Sequence, residues 1–141
     1  MRPELLFTLA FFALQDLRHR SISLLHICLF GIPALAFALL HPHSSSLPVF
    51  AAAFLPGAAL YACSRLTRGG IGSGDALILL LMGFYLPVLD ILLSLLAGLF
   101  LSFFYSVFLL VSGRGKNSTS FPFLPFLFFG TLLFRLLSRS F

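Results

Sequence analysis

Residues 75–111 form an almost unbroken apolar run, and this run constrains the fold more than any other feature of the chain. One α-helix of that length would extend roughly 55 Å, whereas the hydrocarbon core of a bilayer is about 30 Å thick. The run must therefore fold back on itself, and Pro87 and Asp90 mark the expected turn. We predict two helices here, the fourth and fifth of the chain.

The remainder of the chain is similarly apolar. With 60% hydrophobic and 9% charged residues, it cannot cover a soluble surface with polar groups, so lipid must be the solvent for most of it. We predict an all-α, polytopic membrane protein, a single domain over residues 1–141 with a bundle of about six transmembrane helices. The other predicted helices cover residues 5–14, 22–40, 47–63 and 121–137.

The basic residues of the predicted loops set the expected orientation. Cytoplasmic loops keep an excess of Lys and Arg, so the loops after helices one, three and five should face inward. The net charge of +5 is scattered in ones and twos, which indicates contact with membrane lipids and no nucleic-acid partner. The inward residues are Arg18, Arg20, Arg65, Arg68, Arg114 and Lys116.

Acidic residues are rare in this chain, and each is therefore a candidate functional residue. They are Glu4, Asp16, Asp75 and Asp90. The predicted topology places Glu4 and Asp90 at the outer face, where an interfacial role is sufficient. Asp16 ends helix one and Asp75 opens helix four, so both lie at the inner face and can meet. Either the two short helices continue past these acids or the acids sit in a wet pocket below the headgroups.

Two neighbouring carboxyl groups in a poorly solvated place share a proton and titrate as a pair. An aspartic peptidase needs this arrangement, because the ionised group accepts a proton from water while the protonated group polarises the scissile carbonyl. Gly72 and Gly74 precede Asp75 in a glycine-rich loop, which lets backbone and substrate approach closely. In the simpler alternative, Asp75 only caps helix four and Asp16 pairs with Arg18.

These residues resemble the prepilin peptidases, membrane aspartyl proteases with a Gly-x-Gly-Asp motif. Residues 72–75 read Gly-Ser-Gly-Asp, and Asp16 with Arg18 and the following Ile22 is similar to the family's Asp-x-Arg and Ile-Pro element. A third similarity lies at the start of the last helix, where the family has Pro-Phe-Gly-Pro. The chain reads Phe-Pro-Phe-Leu-Pro over residues 121–125, with the prolines at Pro122 and Pro125.

The resemblance implies a six-helix core in the inner (cytoplasmic) membrane, with Asp16 and Asp75 as the catalytic pair. It also implies that the protein is an endopeptidase that cleaves the leader of type IV pilin-like precursors at the cytoplasmic face, without a cofactor. The chain departs from the pattern at Leu77, where the family has Lys, at Ser23, where it has Pro, and at Leu124, where it has Gly. The paired CxxC segment of long members is not found, so we expect neither zinc nor N-methylation of the product.

Two other classes of function remain open. A small transporter or channel subunit could use Asp16 and Asp75 as a proton or cation site, although such sites usually lie near the midplane. An inactive relative could bind pilin-like helices without cleaving them. We expect no metal site, because His41 and His43 have no third ligand near them in the sequence.

Overall fold

The computed structural model describes residues 3–19, 24–41, 46–67, 72–112 and 123–137. These ranges are helical apart from short turns and contain no strand, so the predicted all-α class is confirmed. The helices are α1 (Pro3–His19), α2 (Leu24–Leu40), α3 (Leu47–Ala52), α4 (Leu55–Leu66), α5 (Ser73–Met82), α6 (Val88–Val111) and α7 (Leu124–Leu137).

The long apolar run is interrupted at the predicted turn. Helix α5 ends at Met82, and α6 begins at Val88 after Pro87, which has an extended conformation with φ −68° and ψ 158°. Proline suits this position because the residue before a helix needs no intrahelical N–H bond. Asp90, which was expected in the turn, instead lies in the first turn of α6.

The predicted third helix is present but is interrupted by a short turn. Ala53 and Phe54 form this turn between α3 and α4, and their N–H groups donate hydrogen bonds to the carbonyls of Phe50 and Ala51. Pro56 explains the interruption, because it has no N–H to donate to the carbonyl of Ala52 and its ring crowds that carbonyl. The combined segment Leu47–Leu66 is nevertheless 20 residues long, with a mean hydropathy of 1.6, which is enough to cross a membrane.

The helix ends near the two inner acids also differ from the prediction. Helix α1 continues to His19 instead of ending near Leu14, because the residues between them include no glycine or proline. Helix α5 begins at Ser73, so Ser73 and Gly74 are helical although we predicted a loop there. Both helices therefore continue past their acids, α1 to His19 and α5 back to Ser73.

The helices form one connected bundle. Helix α7 lies between α1 and α6, α4 packs against α5 and α6, and α2 packs against α5. The core is apolar and includes Phe12, Ile78 and Leu79, all at most 1% exposed. In a bilayer these side chains hold the helices together mainly by van der Waals packing, because lipid tails are as apolar as the side chains.

Glycines allow two pairs of helices to pack backbone to backbone. A Cβ added to Gly130 of α7 would lie 2.5 Å from the backbone N of Gly98 in α6. Similarly, a Cβ on Gly57 of α4 would lie 2.6 Å from the backbone N of Leu80 in α5. Small residues at such contacts are typical of helices that associate in a bilayer, where close van der Waals packing supplies much of the attraction.

The outer surface of the bundle is apolar, as expected for a protein in lipid. On α6, Phe100 and Phe103 are each 61% exposed, and a soluble monomer rarely exposes a continuous apolar face of this kind. Helix α6 has 24 residues with a mean hydropathy of 2.2, long enough to cross a membrane. The expected count of about six crossings stays a prediction.

Candidate active site

Asp16 lies in the last turn of α1, where it faces the beginning of α7. The backbone N–H of Leu124 donates a hydrogen bond to Asp16 Oδ2 over 3.3 Å. The two residues are 108 positions apart in the chain, so this contact ties the first helix to the last described one. It also agrees with the close packing of α1 against α7.

Asp75 is the third residue of α5, and its carboxyl group lies over Gly72. A Cβ added at Gly72 would be 2.6 Å from Asp75 Oδ2, closer than real Cβ contacts come. The φ of Gly72 is −59°, which any residue can adopt. Glycine at position 72 therefore leaves space for the carboxylate, which a larger residue would displace, and its backbone conformation does not require glycine.

The structure brings Asp16 and Asp75 within electrostatic reach of each other. Burial and, to a smaller extent, the negative charge of Asp16 together raise the pKa of Asp75 from 3.8 to about 7. Burial also raises the pKa of Asp16, but the hydrogen bond from the Leu124 N–H opposes that effect. Both groups lie outside the two helices that are long enough to span a membrane.

This pair of carboxyl groups can hold one proton near neutral pH. A group with a pKa of about 7 is protonated during much of its time at physiological pH, while its neighbour can be ionised. A perturbed pair of this kind in a membrane-embedded chain is a candidate for acid–base chemistry. The catalytic role of Asp16 and Asp75 nevertheless stays a prediction.

Gln15 and His26 form a polar contact beside Asp16. Gln15 Nε2 lies 3.4 Å from His26 Nδ1, and the imidazole ring packs at 5.5 Å from the ring of Phe11. The Gln15 Oε1 atom is buried without a hydrogen-bond partner among the described residues. Sequence reasoning did not identify this contact, because it depends on how α1 and α2 face each other.

The other predicted motif residues have different positions. Arg18 is exposed in the last turn of α1, and Gly74 is half-buried in the first turn of α5. Pro125 is the second residue of α7, whereas Pro122 lies outside the described residues. Among the described ranges, no three His, Cys, Asp or Glu residues are grouped so that they could hold a metal ion.

The sequence did not predict the hydrogen bond from the Leu124 N–H to Asp16. We noted Leu124 only as a departure from the family's glycine, yet its side chain is 1% exposed and its N–H reaches Asp16. The sequence indicates only the region of this contact, because the first N–H groups of any helix have no intrahelical partner and can bind a carboxylate. The predicted start of the last helix near Pro122 pointed to that region.

A comparison with known protein families agrees with this geometry. The model of the type IV leader peptidase family matches residues 5–110, which include Asp16, Gly72 and Asp75. The match covers three quarters of the chain and ends before α7. No curated protein and no solved structure matches the chain.

Proposed function

Because the chain belongs to the type IV leader peptidase family, we propose that it is an aspartic endopeptidase that removes the leader of type IV pilin-like precursors. The proposed location is the inner (cytoplasmic) membrane, with the active site toward the cytoplasm. The observation that supports this most directly is the proximity of Asp16 and Asp75, with the pKa of Asp75 raised to about 7. The family indicates a leader-peptidase-like protease, and the aspartic mechanism and substrate are our proposals.

The proposed reaction is a direct attack of water on the scissile peptide bond. One carboxylate accepts a proton from water, the other carboxyl group donates a proton to the carbonyl oxygen, and no covalent enzyme intermediate forms. Positioned acid–base groups of this type contribute about 10²–10⁴-fold to a rate. The shared proton of the pair provides both forms at once near neutral pH.

The site also has features suited to a membrane-embedded precursor. A leader cleaved beside a long apolar helix places the scissile bond at the membrane border, and the aspartates lie at helix ends, beside the apolar runs of α1 and α5. Arg18 and Arg65 are exposed on the helix ends at this side and are expected to contact anionic lipid headgroups. Such lipids would also screen these arginines from a basic leader.

The decisive experiment is cleavage of a purified pilin-like precursor by the chain in detergent or in vesicles. The precursor should carry a short basic leader, a glycine and a long apolar helix. We expect the unmodified protein to release the leader, and Asp16→Asn and Asp75→Asn each to reduce cleavage by at least about 10²-fold. Asp90→Asn is the matched control, because Asp90 lies in the first turn of α6 and is not part of the pair.

Binding of the precursor, measured beside its cleavage, distinguishes the proposed peptidase from an inactive protein that only binds the precursor. Asp75→Asn should bind the precursor as the unmodified chain does, because the substitution keeps the side-chain volume and changes only its chemistry. An inactive binding protein would show no cleavage before or after the substitution. Full activity of both Asn variants would contradict the aspartic mechanism.

A further inference from the structure

The beginning of α7 has one backbone donor that its own helix does not use. The carbonyl of Phe123 accepts hydrogen bonds from Phe126 and Leu127 at 3.0 and 3.1 Å, so the intrahelical bonds start after Leu124. Pro125 has no N–H. The Leu124 N–H is therefore the free donor of this helix end, and it is bonded to Asp16 Oδ2.

The two carboxyl groups of the site are not equivalent. Asp16 accepts the Leu124 hydrogen bond, whereas no donor from the described residues offsets the burial of Asp75. Asp75 is also the more deeply buried of the two. A hydrogen bond stabilises the charged form of a carboxyl group, and burial without one stabilises the neutral form.

The helix dipoles would favour the reverse order of the two pKa values, but their effect is weaker than that of burial and the Leu124 hydrogen bond. Asp75 lies at the N-terminal end of α5, which favours its anion, and Asp16 lies at the C-terminal end of α1, which disfavours its anion. Each of these effects is worth up to about 2 kcal/mol in a partly buried site, or about 1.5 pKa units. Burial shifts a carboxyl group by up to about 3–5 units, so burial and the Leu124 bond decide the order.

We infer that Asp16 is the ionised base of the pair, that Asp75 is the protonated acid, and that the backbone N–H of Leu124 sets this order. This inference rests on the proposed peptidase function and deepens it. Leu124 is a positioning residue, because it acts through Asp16 and not on the substrate.

The assignment gives a balanced reaction. Asp16 takes a proton from water, the water oxygen bonds to the carbonyl carbon, and Asp75 gives its proton to the carbonyl oxygen. The tetrahedral diol then collapses: Asp16 returns a proton to the leaving nitrogen as the C–N bond breaks, and Asp75 takes back a hydroxyl proton. The products are a carboxylic acid and an amine, and both aspartates recover their starting forms.

The described helices also carry basic side chains near the ends where the two aspartates lie. Of the described helices, α1 contributes Arg18, α2 contributes His26 through its contact with Gln15, and α4 contributes Arg65 in its last turn. Helix α7 has its basic residue, Arg135, in the last turn at its opposite end.

Carboxyl carbon NMR tests the inference without any substrate. The chain has three aspartates, so ¹³C-carboxyl aspartate labelling in nonionic micelles gives one signal each for Asp16, Asp75 and Asp90. Single Asn variants assign the signals. We expect Asp16 to lose its proton first as the pH rises, and Asp75 to lose its proton near pH 7.

A pair of substitutions at position 124 isolates the backbone donor. Both Leu124→Ala and Leu124→Pro remove the buried side chain, but only proline also removes the N–H, and proline is well tolerated at the first position of a helix. We expect Leu124→Pro to raise the pKa of Asp16 by about one unit relative to Leu124→Ala. The acidic limb of the pH profile of kcat/KM should move by the same amount.

The results separate this inference from the proposed function. The inference is wrong if Asp75 loses its proton before Asp16, or if Asp16 has the same pKa in the Leu124→Pro and Leu124→Ala variants. Either result counts against it even when the precursor is cleaved. If the predicted order is found but no precursor is cleaved, the peptidase proposal fails instead. Should Leu124→Pro not fold, the order in the unmodified chain still decides the assignment of acid and base.

Discussion

Asp75→Asn is expected to stabilise the fold at pH 8 while it removes activity. In the unfolded chain Asp75 loses its proton near pH 3.8, whereas in the folded chain burial and the charge of Asp16 hold the proton until about pH 7. Between these values the unfolded state binds fewer protons, so stability falls as the pH rises through this range. Above pH 7 the buried Asp75 carboxyl group is ionised, and its desolvation lowers the free energy of unfolding by the full amount.

The magnitude follows from the two pKa values of Asp75. A rise from 3.8 to about 7 corresponds to about 4 kcal/mol at about 1.36 kcal/mol per pKa unit. Asparagine loses the carboxylate's favourable interaction with the N-terminus of α5, about 0.5 kcal/mol, which reduces the gain. We expect Asp75→Asn to be more stable than the unmodified chain by roughly 2–4 kcal/mol at pH 8 and nearly equal at pH 4.

Reversible unfolding by guanidinium chloride in nonionic micelles measures this difference between pH 4 and pH 9. Near-ultraviolet circular dichroism can follow it, because the chain has three tyrosines, of which Tyr85 is 3% exposed. Asp90→Asn is the control and should keep the pH dependence of the unmodified chain, since both members of the pair remain. The reasoning is refuted if Asp75→Asn gains no stability at pH 8, or if its gain is the same at pH 4.

Two glycine substitutions test the close contacts of the fold, with Gly31→Ala as the control because a Cβ there meets nothing within 4 Å. Gly72→Ala should displace the Asp75 carboxyl group, whose Oδ2 would lie 2.6 Å from the new Cβ, and should lower kcat of precursor cleavage at least about 10-fold with the fold retained. Gly130→Ala should force α7 away from Gly98, with 2.5 Å between the new Cβ and the Gly98 N, and should lower the unfolding free energy by about 1–3 kcal/mol. Unchanged cleavage in the first variant, or unchanged stability in the second, would contradict these contacts.

Much of the fold could be predicted because the apolar runs set the lengths of the helices. The run 75–111 is too long for one helix, and the turn that follows from this occurs before Val88. The interruption between α3 and α4 at Ala53 was harder to predict than the turn before Val88. Proline is tolerated in membrane helices when neighbouring groups satisfy the freed carbonyl. The presence of Pro56 alone therefore did not show whether the helix would be interrupted there.

The site could be predicted only in part, for a physical reason. The number of helices between Asp16 and Asp75 determines that the two acids lie at the same end of the bundle, and this can be read from the sequence. The Leu124 contact cannot be read in that way. A backbone N–H is present at every residue except proline, so its role depends on the register of α7 against α1 and not on the side chain at position 124.

The same consideration explains how a departure from the family pattern can leave the chemistry intact. A glycine and a leucine at position 124 offer the same backbone donor to Asp16. The leucine additionally buries its side chain in the core, which helps to hold the start of α7 against α1. We therefore expect Leu124→Gly to lower stability by about 2–5 kcal/mol, as for other truncated core leucines, without changing the pKa order of the two aspartates. A variant that retained stability but reversed that order would show that the leucine side chain, and not its amide, controls the pair.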